Sequence, residues 1–249
     1  MADTQKRKFG IDAFTLHVLA MAFMLSDHVW ATVGSAQEWL TAVGRLAFPI
    51  FAFMLAEGFR RTKSVKRYAL RLAVLALISE VPFDLMYGAT VFYPFHQNVI
   101  FTFLIALLCM LAISSVKKLG KAPLTALACI AAAGAGWFLG TLLMTDYGGE
   151  GVLTALLFYI FPGEKRWQKL CQLAGMVVLN CVLLASLVYP VSIFGLSLEL
   201  PEQGLALLSL IPIWLYSGEQ GIHTRAARIF CYAFYPAHML ILALCMIYI

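Results

Sequence analysis

The lysines and arginines are confined to every second gap between long apolar runs, and this spacing limits the fold more than any other feature of the chain. Sixteen of the 18 basic residues sit in five gaps: Lys6, Arg7 and Lys8; Arg60, Arg61, Lys63, Lys66 and Arg67; Lys117, Lys118 and Lys121; Lys165, Arg166 and Lys169; Arg225 and Arg228. The gaps in between hold none. Cytoplasmic loops of membrane proteins collect Lys and Arg. The chain is therefore expected to leave the cytoplasm after each basic gap and return before the next, with its N-terminus inside and its C-terminus outside.

The apolar runs fit that scheme. The sequence is 62% hydrophobic and only 12% charged, against about 25% charged in a soluble domain. Nine spans are read at roughly 13–33, 38–58, 66–87, 97–115, 122–144, 149–162, 169–188, 203–217 and 228–248. A hydrocarbon core of about 30 Å takes about 20 helical residues. The sixth and eighth spans are shorter, and Pro212 interrupts the eighth. Such segments are tolerated where they line a cavity rather than lipid. The run after Lys8 is too long for the apolar part of a cleavable signal and lacks a small-residue cleavage site, so it is read as the first span. Tyr189–Pro201, rich in Pro, Gly and aromatics, reads as an outer interfacial loop. The expected architecture is an all-α polytopic bundle, one membrane-embedded domain over residues 1–249. The basic balance belongs to the inner loops and implies no nucleic acid. The six cysteines form no C-x-x-C pair, so they read as packing residues rather than a zinc or redox site.

Within this apolar frame the ionisable groups stand out, because a charge at mid-membrane costs roughly 2.5–3.5 kcal/mol and needs protein or water around it. The hairpin Gly44–Leu85 carries Arg45, Arg71, Glu80 and Asp84 inside its two spans, with the basic turn between them. On the first span His17, Met21, Met24 and His28 share a helical face. Asp27 lies about 100° from His28 and cannot orient its imidazole, so a carboxylate from another span, Glu80 or Asp84, is expected to do so. Counting depth from the inner loops gathers Asp27, His28, Arg45, Glu80, Asp84, Gln97, Asn98 and Asp146 in the outer half of the bundle, with Tyr235 and His238 slightly deeper. A polar cavity opening outward follows. An imidazole with titratable neighbours in such a place is a general-base candidate.

Plainer readings apply elsewhere. His17 near the inner face packs or meets headgroups, and His223 is an inner-loop residue. His96 can be an ordinary loop residue, and Glu57 can cap its helix beside Arg60 and Arg61. The basic turn can serve topology alone, or it can take a polyphosphate. Arg45 can form a helix-joining ion pair with Glu80 or Asp27.

The stretches DH on the first span, GRLAFPIFAFMLAEGF, RTKSVKRYALRL, ISEVPFDL, HQNVIFTF, TDYGGEGVL and YAFYPAHML follow the order seen in the TraX family, and the chain resembles that family over most of its length. TraX is named for a membrane enzyme that N-acetylates conjugative pilin, and the family is related to transmembrane acyltransferases that use a first-span histidine. The resemblance implies that His28 serves acyl transfer from acetyl-CoA. It departs at His17, where many members look to have lysine.

Residues and resemblance together lead to one expected mechanism. Arg60, Arg61, Lys63 and Arg71 would hold the phosphates of cytoplasmic acetyl-CoA. His28 would act as base or nucleophile, oriented by Glu80 or Asp84. Arg45, Gln97 or Asn98 would steady the oxyanion, and Asp146, Tyr235 and His238 would bind an amine or hydroxyl acceptor from outside. The residue spacing fits no metal-site pattern. Two other classes compete: a proton-coupled carrier, which would move solute without CoA, and a non-catalytic pilus or envelope assembly factor, which would tolerate loss of His28. A homodimer is compatible with each.

Overall fold

A computed structural model describes residues 10–185, 188–193 and 196–248. The basic cluster Lys6–Lys8 lies outside them. The described chain runs α1 Ala13–Thr32, α2 Trp39–Gly44, α3 Ala47–Arg61, α4 Val65–Gly88, α5 Val99–Lys117, α6 Ala122–Leu142, α7 Gly148–Ile160, α8 Arg166–Val177, α9 Leu210–Trp214 and α10 Arg225–Tyr248. A π-helical segment, Val178–Leu183, extends α8, and a 3-10 segment, Glu202–Ser209, leads into α9. With α2 and α3 taken as one broken span and α9 joined to its 3-10 lead, nine helical passes appear, in the order the apolar runs predict.

Five of these passes are long and apolar enough to cross a membrane: Ala13–Thr32, Trp39–Arg61, Val99–Lys117, Ala122–Leu142 and Arg225–Ile247. α4 has the length but carries Arg71, Glu80 and Asp84. α7, with 13 residues, reaches only about 20 Å at 1.5 Å per residue. The expected outer loop is instead built as a hairpin, β1 Val188–Ile193 paired antiparallel with β2 Leu196–Pro201. Extended pairing satisfies the backbone there without a helix.

Local chemistry sets the ends. Asp12 caps α1 by accepting from the Thr15 amide at 2.8 Å, and Asn98 caps α5 by accepting from Ile100. At the basic end Ile11 meets Leu215 and Ser217, and Arg61 reaches the Gly218 carbonyl. At the opposite end the Gln97 and Asp146 backbones are joined through Asp146 N to Gln97 O, 2.8 Å.

α1, α3, α5 and α7 form the centre, and α10 closes over α1 and α4. α6 lies outside against α5 and α7 and buries only Ala132, Gly136 and Gly140, a small-residue stripe that lets backbones approach in lipid. Large apolar side chains cover the outer surface, among them Leu77 and Ile78 on α4, Leu127 and Ile130 on α6, and Ile241 on α10. A surface of this kind is matched to acyl chains, and the protein is a multi-pass integral membrane protein.

Candidate functional site

The site begins with a break in a helix. Pro49 has no N–H to give the Arg45 carbonyl, so the ladder between α2 and α3 fails at Arg45 and Leu46. The break turns the Arg45 side chain inward. Its Nε meets Glu202 Oε1 at 3.1 Å and one terminal nitrogen meets Asp27 Oδ1 at 3.1 Å. The Gln203 carbonyl oxygen accepts from the other at 3.4 Å. The Thr41 hydroxyl bonds Arg45 and lies 2.8 Å from Asp27 and 3.0 Å from Glu202. Gly44 makes this possible, because a Cβ there would collide with Asp27. Gln203 is held in turn by Asn180 of the π-helical segment, 3.1 Å away. Sequence reasoning offered Arg45 either Glu80 or Asp27 as partner; the structure gives Asp27 and adds Thr41, Glu202 and Gln203, which were missed. Glu202 directly follows the expected outer loop, and nothing in its neighbours marks it as buried.

The second element is a histidine pair. His28 Nδ1 lies 2.7 Å from His238 Nε2, and His238 Nδ1 lies 2.7 Å from the Phe234 carbonyl oxygen. The ring centroids are 4.9 Å apart with planes 14° from parallel. That separation is what an in-plane N–H···N bond produces, so the rings meet edge to edge. A carbonyl only accepts, so His238 carries its proton on Nδ1 and offers the Nε2 lone pair. His28 must then donate from Nδ1, which leaves its Nε2 unprotonated. No partner for that Nε2 occurs among the described residues. Both rings are buried.

The expected orienting role of Glu80 and Asp84 is therefore corrected: His238 holds His28. α4 turns its acidic face to the start of α5 and the preceding loop. Glu80 bonds the Asn98 amide and side chain, and Asp84 Oδ2 accepts from the Tyr93 amide at 2.8 Å. Asn98 also donates to the Ala76 carbonyl, and Gln97 donates to the Pro94 carbonyl. These four residues brace a loop. Gln97 and Asn98 do not line the cavity, and the Asn98 amide donates to both Ala76 and Glu80.

A cavity of about 370 Å³ lies between the two elements, within the usual size of a ligand pocket. Asp27, His28, Arg45, Tyr87, Asp146, Tyr147 and Tyr235 line it, with Met24, Phe48 and Phe51 as apolar wall. Of the expected acceptor residues, Asp146 and Tyr235 thus face it, and His238 stands behind His28. Tyr147 was missed. Its backbone is left-handed, φ 60°, followed by Gly148 at φ 53°, and its ring lies 3.9 Å from that of Phe48 with planes 9° apart. Its phenol sits beside the Arg45 guanidinium. The TDYGGEG stretch held the signal, in the two glycines after it. Beside the cavity His96 Nε2 lies 3.6 Å from Asp146 Oδ1. Asp146 raises the His96 pKa above its ordinary value, against the opposing effect of partial burial.

The basic end is arranged differently. Arg60 donates to Glu57 and to the Phe158 and Tyr159 carbonyls at the end of α7. Arg61 donates to Glu57 and the Gly218 carbonyl. Lys63, Lys66 and Arg67 are exposed, and the exposed Arg71 stacks over Tyr68. His17 packs edge-on against Phe51. Among the described residues no group of three or more His, Cys, Asp or Glu side chains is placed to hold a metal ion.

Residues 13–246 match a family described as TraX protein. The chain is 28% identical over 248 residues to a probable fimbrial assembly protein FimC, serogroup H1, of Dichelobacter nodosus, covering 95% of this chain and 96% of that one. No solved structure matches.

Proposed function

The chain belongs to the TraX family, and from that premise we propose that it is a membrane acyltransferase moving an acetyl group from cytoplasmic acetyl-CoA to an amine or hydroxyl at the outer half of the bilayer. The observation that carries this reading is the hydrogen-bonded pair His28–His238 beside a polar cavity. A neutral imidazole whose far nitrogen is bonded and whose near nitrogen is free is a general base in the ready tautomer.

In this reading the acceptor nitrogen or oxygen attacks the thioester carbonyl while His28 Nε2 takes the acceptor's proton. The imidazolium is stabilised through Nδ1–H donation to His238, which is itself fixed by the Phe234 carbonyl. When the tetrahedral centre collapses, the C–S bond breaks and the thiolate recovers the proton from His28. The cavity holds the reacting ends. The donor's phosphates meet the basic turn, where Lys63, Lys66, Arg67 and Arg71 keep their charges for a ligand while Arg60 and Arg61 also tie helix ends. The basic end then faces the cytoplasm of a bacterial-type inner membrane. The name of the Dichelobacter relative supports a fimbrial subunit as the acceptor, with sugars and small amines as the other classes to try.

The test is protein in nanodiscs with acetyl-CoA and candidate peptides, amines and sugars, followed by mass spectrometry. Wild type should release free CoA thiol and acetylated product, and folded His28→Ala should do neither. Turnover near wild type in that variant would sink the base assignment. Acetyl found on His28 itself would make it the nucleophile instead. The same relative's name favours a second reading, an assembly factor without chemistry. It predicts no CoA binding by calorimetry and normal pilus assembly with His28→Ala.

A further inference from the structure

We propose that Tyr147 is a catalytic residue of this cavity, its phenolic O–H donating to the oxyanion that forms as the acceptor attacks the acetyl carbonyl. The inference rests on the acyl-transfer reading and adds the donor which that chemistry requires. Acyl transfer moves a carbonyl π pair onto oxygen, and the resulting negative charge needs a hydrogen-bond donor already aimed at it.

The donors the sequence offered are otherwise engaged. Asn98 and Gln97 bond carbonyls and Glu80 away from the cavity. Arg45 spends its Nε on Glu202 and its terminal nitrogens on Asp27, Thr41 and Gln203. Tyr147 lines the cavity together with His28, so one small carbonyl compound can meet both.

Its placement is costly for a tyrosine. A left-handed backbone is unusual for any side chain but glycine, and outliers of this kind cluster at active sites. Two contacts hold it there. Phe48 stacks flat on the ring, and Gly151 leaves room, since a Cβ at that position would press on Tyr147 and Phe48. Burial raises the phenol's pKa, which keeps it protonated, and the Arg45 guanidinium beside its oxygen works against that rise. This also gives Arg45 a role its saturated ion pairs do not otherwise show: it acts on the substrate through Tyr147.

The step balances without further reagents. The acceptor N or O bonds to the carbonyl carbon, the carbonyl oxygen gains the π pair and accepts from Tyr147, and His28 takes the acceptor's proton. Collapse restores C=O, expels the thiolate and returns the proton to sulfur.

Tyr147→Phe keeps the ring, the stack and the backbone and removes only the donor. In nanodiscs its kcat should fall about a hundredfold, the usual loss for one oxyanion donor, with both KM values within about twofold of wild type. Site-specific incorporation of difluorotyrosine at 147 should restore turnover and move the alkaline limb of the pH profile to lower pH, because the more acidic phenol loses its proton sooner. A phenol that merely packs would move neither. Full turnover in Tyr147→Phe with a dead His28→Ala overturns the Tyr147 role and leaves the base reading standing. Full turnover in both overturns both. A kcat loss found in Trp30→Phe, the cavity's unpartnered indole N–H, but not in Tyr147→Phe assigns the donor there and overturns this proposal. Should Tyr147→Phe fail to fold, an unmoved fluorotyrosine profile overturns it alone.

Discussion

Arg45 and Arg60 stand near the two ends of α3, and their hydrogen bonds go to different kinds of partner. Arg60 gives two hydrogen bonds to carbonyls at the end of α7, which any membrane helix must satisfy somehow, and one to Glu57 a turn back on its own helix. Arg45 gives its own to two carboxylates and two side-chain oxygens beside a cavity. Backbone partners make an arginine a part of the scaffold. A ring of side-chain partners, each of which must itself be buried and held, makes it part of a site. The lesson extends to the acidic residues, for Glu80 and Asp84 bond backbone amides and brace a loop while Asp27 and Glu202 compose the site.

The comparison can be broken by substitution. The largest effect is expected for His238→Ala, which frees His28 Nδ1 and should cut turnover by roughly 10²- to 10⁴-fold, the range for acid–base groups. His238→Gln offers His28 an oxygen acceptor and should recover part of the rate; equal losses in both would deny His238 an orienting role. Next comes Arg45→Met, which strands the buried Glu202 and the half-buried Asp27 and should cost about 3–5 kcal/mol of stability, read as earlier thermal unfolding in detergent. Adding Asp27→Asn and Glu202→Gln should return most of it. Arg60→Met leaves two carbonyls without a donor, while Glu57 keeps Arg61, and should cost about 1–3 kcal/mol with little change in kcat. If it unfolds earlier than Arg45→Met, the contrast between the two arginines is wrong. Neutralising Lys63, Lys66 and Arg67 together should raise the KM for acetyl-CoA about tenfold per charged hydrogen bond lost and leave the melting curve near wild type.

The smallest effect concerns pH. Asp146 raises the His96 pKa from its model-compound value of 6.5 in the folded protein. Stability from the pair is then fully present below about 6.5 and disappears as pH rises through the raised value. With His96 well exposed the contribution should stay under about 1 kcal/mol. Unfolding of His96→Ala compared with wild type at pH 5.5 and pH 8.5 reads it, the two curves converging at the higher pH.

The passes were legible in the sequence because lipid admits only helices of fixed length whose ends sort by Lys and Arg. Depth along each helix was legible for the same reason, and it brought Asp27, Arg45, His28 and Asp146 to one level. Rotation was not. Glu80 and Asp84 reach the expected depth but face α5, because α4 is wedged against α10, a tertiary fact no periodicity reports. Glu202 and Gln203 lay in a 3-10 segment too short and too irregular to show a face. Tyr147 is positioned by backbone torsion, and only the glycines after it hinted at that.

The histidine pair joins the first long helix of the fold to its last, 210 residues apart. A ribosome must therefore deliver α1 through α10 before the two rings can touch, and every insertion intermediate that stops short of α10 carries a loose imidazole without its mate. On the acyl-transfer reading, the base then comes into its working tautomer only when the bundle is closed. Two fragments divided at an exposed loop ahead of α10 should each be inert and should regain function only when they meet in one bilayer.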